Sequence, residues 1–196
     1  MRDDLNLSGQ DARRQLTALL GYGRLDTSQL GMAATNRAVL VAGGKIGLNK
    51  RHIYELPLPL SLRLKADWHR FTVTLAFAAP TVGQLTRYRS AKVYFHTPDM
   101  SLAGDNRINA EHRAVRRGSL QHEIIEGYRA MTFVDGDTFP IHVECMDDAQ
   151  HLRAGNTIRY ALVVSVETAE RTSNTIHEEV RDRLRIRARA RGRVRL

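Results

Sequence analysis

The stretch Arg70-Phe71-Thr72-Val73-Thr74-Leu75-Ala76-Phe77 decides the fold. Phe71, Val73, Leu75 and Phe77 fall at every second position, with Thr72, Thr74 and Ala76 between them. Alternate side chains of a strand point to opposite faces, so the four large apolar groups share one face. Thr, Val and Phe all suit a pleated, half-buried surface. Burying the four side chains contributes roughly 6–12 kcal/mol at about 1.5–3 kcal/mol each. Fixing the eight backbones costs about 8–16 kcal/mol at about 1–2 kcal/mol each. Such a strand does not hold itself, and the rest of the chain has to supply its partners.

Working outward, short runs separated by turn signals follow from Asn36 onwards, the pattern of an all-β domain. Arg37 to Ala42 reads as a strand ending at Gly43-Gly44, and His52 to Leu56 as a strand closed by Pro57 and Pro59. The apolar Leu58 to Leu62 loop is expected to pack across a sandwich edge. Ala91 to His96 alternates again and breaks at Pro98. Residues 99–113 are polar and mixed, a long loop. Gly118 to Glu126 and Tyr128 to Val134 read as two strands around Gly127. Asp135-Gly136-Asp137 is a tight-turn signal. It leads into Phe139 to Cys145, where Pro140 marks an edge strand or a strand start. Ile158 to Glu167 is apolar on both faces, as a central strand would be. The predicted fold class is therefore mainly β: an antiparallel β-sandwich of about eight strands, jelly-roll-like, with one or two short N-terminal helices and a basic C-terminal tail.

Three segments follow from this reading. Residues 1–35 form a helical linker, in which Leu16, Leu19 and Leu20 share a helical face and Gly21 or Gly23 stops the helix. Residues 36–180 form the sandwich. Residues 181–196 form an Arg-rich tail, expected to be disordered through mutual repulsion. The tail explains the charge. The chain carries +9 in all, and from Arg181 to Leu196 eight Arg and one Asp give 8 − 1 = +7, leaving +2 for the other 180 residues. Alternation of Arg185, Arg187, Arg189, Arg191, Arg193 and Arg195 makes them the candidate contacts to nucleic acid or an anionic surface. No aromatic residue interleaves them, so base stacking is not part of that reading. An alternative for the start of the tail is a short helix, with Glu178-Glu179 placed ahead of Arg181 to Leu184.

The single cysteine, Cys145, excludes an internal disulfide and a multi-cysteine metal cage, and favours a cytoplasmic setting. It shares an apolar phase with Ile141 and Val143, as a core residue does. No apolar run follows the charges at the N-terminus and none approaches about 18 residues, so neither a signal peptide nor a membrane span is expected. Hydrolytic chemistry has no supporting context: there is no Gly-x-Ser-x-Gly elbow, and Gly118-Ser119 opens a strand. His142 with Glu144, and the pair His122-Glu123, lack the ligand spacing of established metal sites and read as solvated residues of an outer face. Gly21-Tyr22-Gly23 and Gly43-Gly44 lack the rest of a phosphate loop. No catalytic residue, metal site or cofactor is expected.

Several runs taken in order resemble the C-terminal region that follows the catalytic domain in a group of bacterial subtilisin-like serine peptidases (subtilases). They are Leu19 to Arg24, Arg37-Ala38, Gly44 to Gly47, His52 to Leu62, Phe71 to Ala76 and Tyr88 to Ala91. Val115 to Glu123, Phe133 to Asp137 and Tyr160 to Leu162 complete the series, which spans about residues 16–184. Phe77 departs from the pattern, where a tryptophan is expected after Ala76. The resemblance implies that the chemistry lies upstream, on a doubly wound domain with Asp, His and Ser in separate motifs and the nucleophile in a Gly-Thr-Ser-x-Ala-x-Pro run. None of those motifs occurs in this chain. What is implied is a non-catalytic accessory domain, truncated or split from its enzyme, with the Leu16 to Gly23 helix as the exit from the catalytic domain. Its partners would be that domain, in cis or in trans, and an AAA-type ATPase. The competing reading from the residues alone is an independent sandwich module that binds protein or carbohydrate.

Overall fold

The structure is a computed structural model that describes residues 36–58, 68–78, 80–81, 89–96, 107–108, 118–127, 138–147, 155–169 and 175–190. The expected N-terminal helices, the Leu58 to Leu62 loop beyond Leu58 and the Tyr128 to Val134 strand lie outside the described residues, as does the expected 99–113 loop apart from Arg107–Ile108, which form a short strand. Eight strands are described: β1 (Arg37–Gly47), β2 (Arg51–Pro57), β3 (His69–Ala78), β4 (Ala91–His96), β5 (Arg107–Ile108), β6 (Leu120–Gly127), β7 (Thr138–Asp147) and β8 (Thr157–Thr168). One helix, α1 (Ile176–Ala190), follows them. β5 is two residues long, so seven strands carry the architecture.

The strands form two sheets, A in the order β1-β8-β3-β6-β5 and B in the order β2-β7-β4. Every pairing is antiparallel. First pairs with eighth, second with seventh and third with sixth, the nesting of a long hairpin rolled into a sandwich, as in a jelly roll. A complete roll would close with the fourth strand on the fifth. Here β5 lies instead beside β6, with Ile108 opposite Ile124.

The alternation of the 70–77 stretch sets the core. Phe71, Val73, Leu75 and Phe77 are all buried in β3, and β8 lies against it with Val166, Val164, Leu162 and Tyr160 in the same rows. Sheet B closes on them with Phe139, Ile141, Val143 and Cys145 of β7 and Val93 and Phe95 of β4. Phe71 stacks on Phe139 across the two sheets, centroids 5.3 Å apart. β8 is the central strand that its two apolar faces predicted, between β1 and β3.

Three expectations are corrected. β1 does not stop at Gly43-Gly44 but runs through both to Gly47. The glycines are there for space: a Cβ on Gly43 would stand 3.0 Å from the Tyr160 carbonyl oxygen, and one on Gly44 3.2 Å from the Tyr160 hydroxyl. The chain turns later, at Leu48-Asn49, where Asn49 takes the left-handed conformation that Asn tolerates. There the Asn49 N–H donates to the Cys145 carbonyl at 2.9 Å, carrying the chain from sheet A to sheet B. Pro140 lies in a central strand, not an edge strand. It is the third residue of β7, opposite Glu55 of β2, and β4 joins β7 only from His142 onward, so the proline faces no ladder on that side. The strand-start half of the reading holds.

The third correction concerns the tail. Residues 181–190 are not disordered but continue α1 to Ala190. The expected repulsion is opposed at the start of the helix. Glu178 and Glu179 sit in the first turn, where the helix dipole favours acids, and the Thr175 hydroxyl donates to Glu179 at 2.8 Å. Ile176 and Val180 are buried in the sandwich core, and Arg183 donates to the carbonyl of Leu58. Like charges one turn apart, Arg181 with Arg185 and Arg185 with Arg189, still cost about 0.2–0.5 kcal/mol per pair. Arg191, Arg193 and Arg195 lie outside the described residues. The first helical turns touch β1 and β2, the edge strands on one side of the two sheets, and so cover an otherwise open flank.

Candidate functional site

The two outward faces of the sandwich differ in kind. On sheet B the polar residues converge on Glu144. Arg51 of β2 reaches its Oε1 through Nε and Nη2, each at 2.5 Å. Tyr94 of β4 donates its hydroxyl to Oε2 at 2.6 Å, and His96 Nε2 lies 3.1 Å from Oε1. The His96 ring meets His142 edge-on, centroids 5.2 Å apart. Alternation places all of these on one face, and register places Arg51 and Tyr94 on either side of Glu144. The hydrogen bond from Tyr94 leads the causes, with His96 and Arg51 adding to it, that bring the Glu144 carboxyl down to about 2. Burial, followed by the bond to Glu144, pushes the Tyr94 phenol up to about 12. A carboxylate so well supplied with donors is a poor general base near neutral pH. Its effect is to tie the three strands of sheet B together.

That assignment has a pH consequence. Because the folded state holds Glu144 below the ordinary 4.5, the unfolded chain takes up the proton first. The stabilisation is present above pH 4.5 and is lost as the pH falls towards 2. Glu144→Gln is expected to lower stability at pH 7 by about 1–2 kcal/mol and to flatten the loss between those pH values. Urea unfolding at a series of pH values measures this. An unchanged pH profile would mean that the cluster contributes nothing.

The other polar residues singled out in the sequence are dispersed by the fold. His122 and Glu123 point to opposite faces, and Glu123 is not solvated but 3% exposed in the interior. There Gln121, also buried, donates its Nε2 to Glu123 at 2.9 Å. Cys145 is buried, and burial pushes its thiol up to about 11, as befits a core residue. Among the described residues no group of three or more His, Cys, Asp and Glu is placed to hold a metal ion. A further interior network was not foreseen: Tyr160 lies with its hydroxyl 2.6 Å from His52 Nδ1 and 2.5 Å from the Tyr54 hydroxyl. Burial, then the bond to Tyr54, raises the Tyr160 pKa, so the phenol stays protonated. It sits beneath Gly44, and the two partners satisfy a hydroxyl that the core would otherwise strand.

The outer face of sheet A is the candidate interaction surface. Its rows follow from the register. Gly43, Ala161, Ala76 and Leu120 lie side by side, then Val41, Val163, Thr74 and His122, then Val39, Ser165, Thr72 and Ile124. None of these twelve carries a formal charge at pH 7. His122, whose Nδ1 lies 2.7 Å from the Thr74 hydroxyl, is held below its ordinary 6.5 by burial. Charged residues bound the patch. Arg37, Glu167 and Arg70 stand at one end, with Lys45 and Arg159 at the other. Strands about 4.8 Å apart and rows about 6.8 Å apart give three rows by four strands an extent on the order of 400 Å². Val41 is 76% exposed within it and Gly43, Ala76 and Ala161 are exposed, whereas Ser165 is buried at 8% and the third row is half-buried beside it. Of the anion-contact arginines, Arg185, Arg187 and Arg189 lie on α1. No helix among the described residues is long and apolar enough to cross a membrane.

Compared with known proteins, the chain matches no protein-family model and none of the curated sequences.

Proposed function

We propose that this chain is a non-catalytic accessory domain of a subtilisin-like serine peptidase and that the outer face of sheet A receives the catalytic domain. The resemblance of its ordered runs to the C-terminal region of subtilases motivates the family. The observation that carries the docking role is the uncharged grid around Val41, bounded at both ends by charged rows. A patch of a few hundred Å² with a polar rim has the anatomy of an interface centre. The small side chains of the row beside the Lys45 and Arg159 margin, Gly43, Ala161 and Ala76, allow close approach by a partner surface. The Leu58 loop is a weaker candidate than its sequence suggests, because Leu58 is fully buried in its own domain and its carbonyl accepts from Arg183. By covering a catalytic domain, such a face would stabilise it or shape access to its cleft.

Affinity-tagged chain expressed in the native host is expected to co-purify with a chain carrying the subtilisin Asp, His and Ser motifs. Val41→Asp and, separately, Ala161→Asp change exposed positions, so each variant keeps its fold. Each is expected to lower recovery of the peptidase at least about tenfold, since burying an unpaired carboxylate at an interface costs several kcal/mol. Equal recovery by wild type and both variants, or recovery of no such chain, would contradict the proposal.

A further inference from the structure

We propose that the open edge of β1 receives an extended strand of another protein, apolar in its middle and acidic at both ends. Any partner able to offer such a strand, peptidase or not, would serve. A sheet edge presents a row of backbone N–H and C=O groups to which another chain can pair, and proteins blunt such edges with prolines, charges, short strands or covering groups. Among the described residues the two sheets have four edge strands, β1 and β5 in sheet A and β2 and β4 in sheet B. β5 is two residues long. β2 carries Arg51 and Glu55 at exposed positions and ends in Pro57. β4 has the N–H and C=O of Phe95 taken up by Gln121. From Val39 to Gly43, β1 has none of these devices. It is eleven residues long, holds no proline and keeps one unbroken register with β8 from Arg37 to Gly47.

Alternation decides which backbone groups point outward. The Thr168 N–H donates to the Asn36 carbonyl at 3.1 Å, and Asn36 stands one residue before β1 in the same register. Even-numbered residues of β1 therefore turn their backbone groups to β8, whereas Val39, Val41, Gly43 and Lys45 turn theirs away from it. α1 packs Ile176 and Val180 into the core beside β1 and β2 yet leaves this stretch open. Val41 is 76% exposed, and Gly43, exposed and without a side chain, presents the backbone itself.

The flanking charges select the occupant. Lys45 stands opposite Arg159 of β8, two cations at one end. At the other end Arg37 and Arg70 lie on either side of Glu167, two cations to one acid. Arg37 and Lys45 are eight residues apart, with Val39, Val41 and Gly43 between them on the same face. A nine-residue strand laid alongside is complementary if it carries Asp or Glu at its first and last positions and apolar side chains at its third, fifth and seventh. A second copy of β1 offers only Arg and Lys at those ends. Pairing two copies about Val41 would set Arg37 against Lys45 twice, where like charges repel.

Fluorescence anisotropy with a labelled nine-residue peptide, Glu at both ends and Thr and Val alternating between them, tests this on the full chain. The same peptide with Lys at its ends is expected to bind at least about tenfold more weakly. Successive N–H groups of a strand point to opposite sides, so N-methylation of the odd-numbered inner residues blocks one edge of the peptide and N-methylation of the even-numbered ones the other. One set is expected to abolish binding and the other to leave it. Val41→Pro removes an N–H that faces away from β8, where an edge strand tolerates proline, and is expected to weaken binding at least about tenfold with an unchanged circular dichroism spectrum. Lys45→Glu leaves the backbone intact at an exposed position and guards against a proline variant that fails to fold. It is expected to weaken binding of the Glu-ended peptide at least about threefold. Equal binding of the Glu-ended and Lys-ended peptides, tolerance of both methylated sets, or no binding of the Glu-ended peptide would overturn the proposal. So would sedimentation showing a dimer that Val41→Pro dissociates, which would give the edge to a second copy.

Discussion

Phe71→Ala is expected to cost about 3–5 kcal/mol, because it removes a large ring from a site that is 1% exposed and leaves a cavity between the sheets. The ring stacks on Phe139, so the loss is felt in both layers: β3 gives up its contact with β7, and Phe139 loses the surface against which it is held. At about 2–4 °C per kcal/mol for a chain of this size, the midpoint of thermal unfolding should fall by roughly 10 °C. Phe71→Leu, which refills much of the volume, should recover a good part of the difference. Calorimetry of the three proteins measures both effects. A fall of under about 2 °C for the Ala variant would show that the two sheets do not meet at this pair.

Gln121→Ala is expected to be as damaging for the opposite reason, since it removes polar contacts and not apolar volume. Gln121 is 4% exposed on the inner face of β6. Its Oε1 accepts from the Phe95 N–H at 2.8 Å, and its Nε2 donates to the Phe95 carbonyl at 3.0 Å. The side chain therefore does for β4 what a neighbouring strand would do, pairing both backbone groups of one residue. In a complete roll the fifth strand pairs with the fourth, whereas β5 here lies beside β6. Gln121 thus bridges sheet A to the edge of sheet B. The same Nε2 also donates to buried Glu123. Truncation deprives three buried groups of a partner, at about 1–3 kcal/mol each, and a loss of about 3–5 kcal/mol is expected. Gln121→Glu should be no better, because it sets a second carboxylate beside Glu123 and loses the donor to the Phe95 carbonyl. Urea unfolding measures both variants. A loss under about 1 kcal/mol for Gln121→Ala would show that other groups close the edge.

The core was legible where strict alternation and size coincide. The Phe71 to Phe77 phase, the two apolar faces of β8 and the buried phase of Cys145 could be read because a period of two leaves no second assignment. What could not be read depends on the identity of the neighbour. Gly43-Gly44 looks like a stop until Tyr160 is known to lie across from it, since the same dipeptide serves a turn or a close approach. Pro140 looks like an edge marker until the end of β4 is located. Glu123 looks like a solvated residue because its partner Gln121, which also bonds the backbone of Phe95, belongs to a pairing that no local pattern announces. For the arginine tail, the alternative of a helix from Glu178-Glu179 through Leu184 is the one that the structure follows, and the disorder expected from charge alone is not seen up to Ala190. Repulsion was counted, and the anchorage of Ile176 and Val180 in the core was not.

The sheet A face has the same lesson in it. In sequence, Thr72, Thr74 and Ala76 are only the residues between the core positions of one strand. The register with β1, β6 and β8 assembles them with Val39, Val41, Ala161, Val163 and Ile124 into one uncharged field. A property of four strands cannot be seen in any one of them.

The docking role of that field is the central claim, and a photo-crosslinking residue at position 41 tests it most directly. Val41 is 76% exposed in the middle row of the field, on its edge strand β1. Illumination in the native host followed by mass spectrometry of the crosslinked product is predicted to identify a subtilisin-like catalytic domain joined to position 41. A crosslinker at Lys45, on the charged margin, should give markedly less of the same product. Capture of no partner at position 41, or of a chain without the peptidase motifs, would contradict the account.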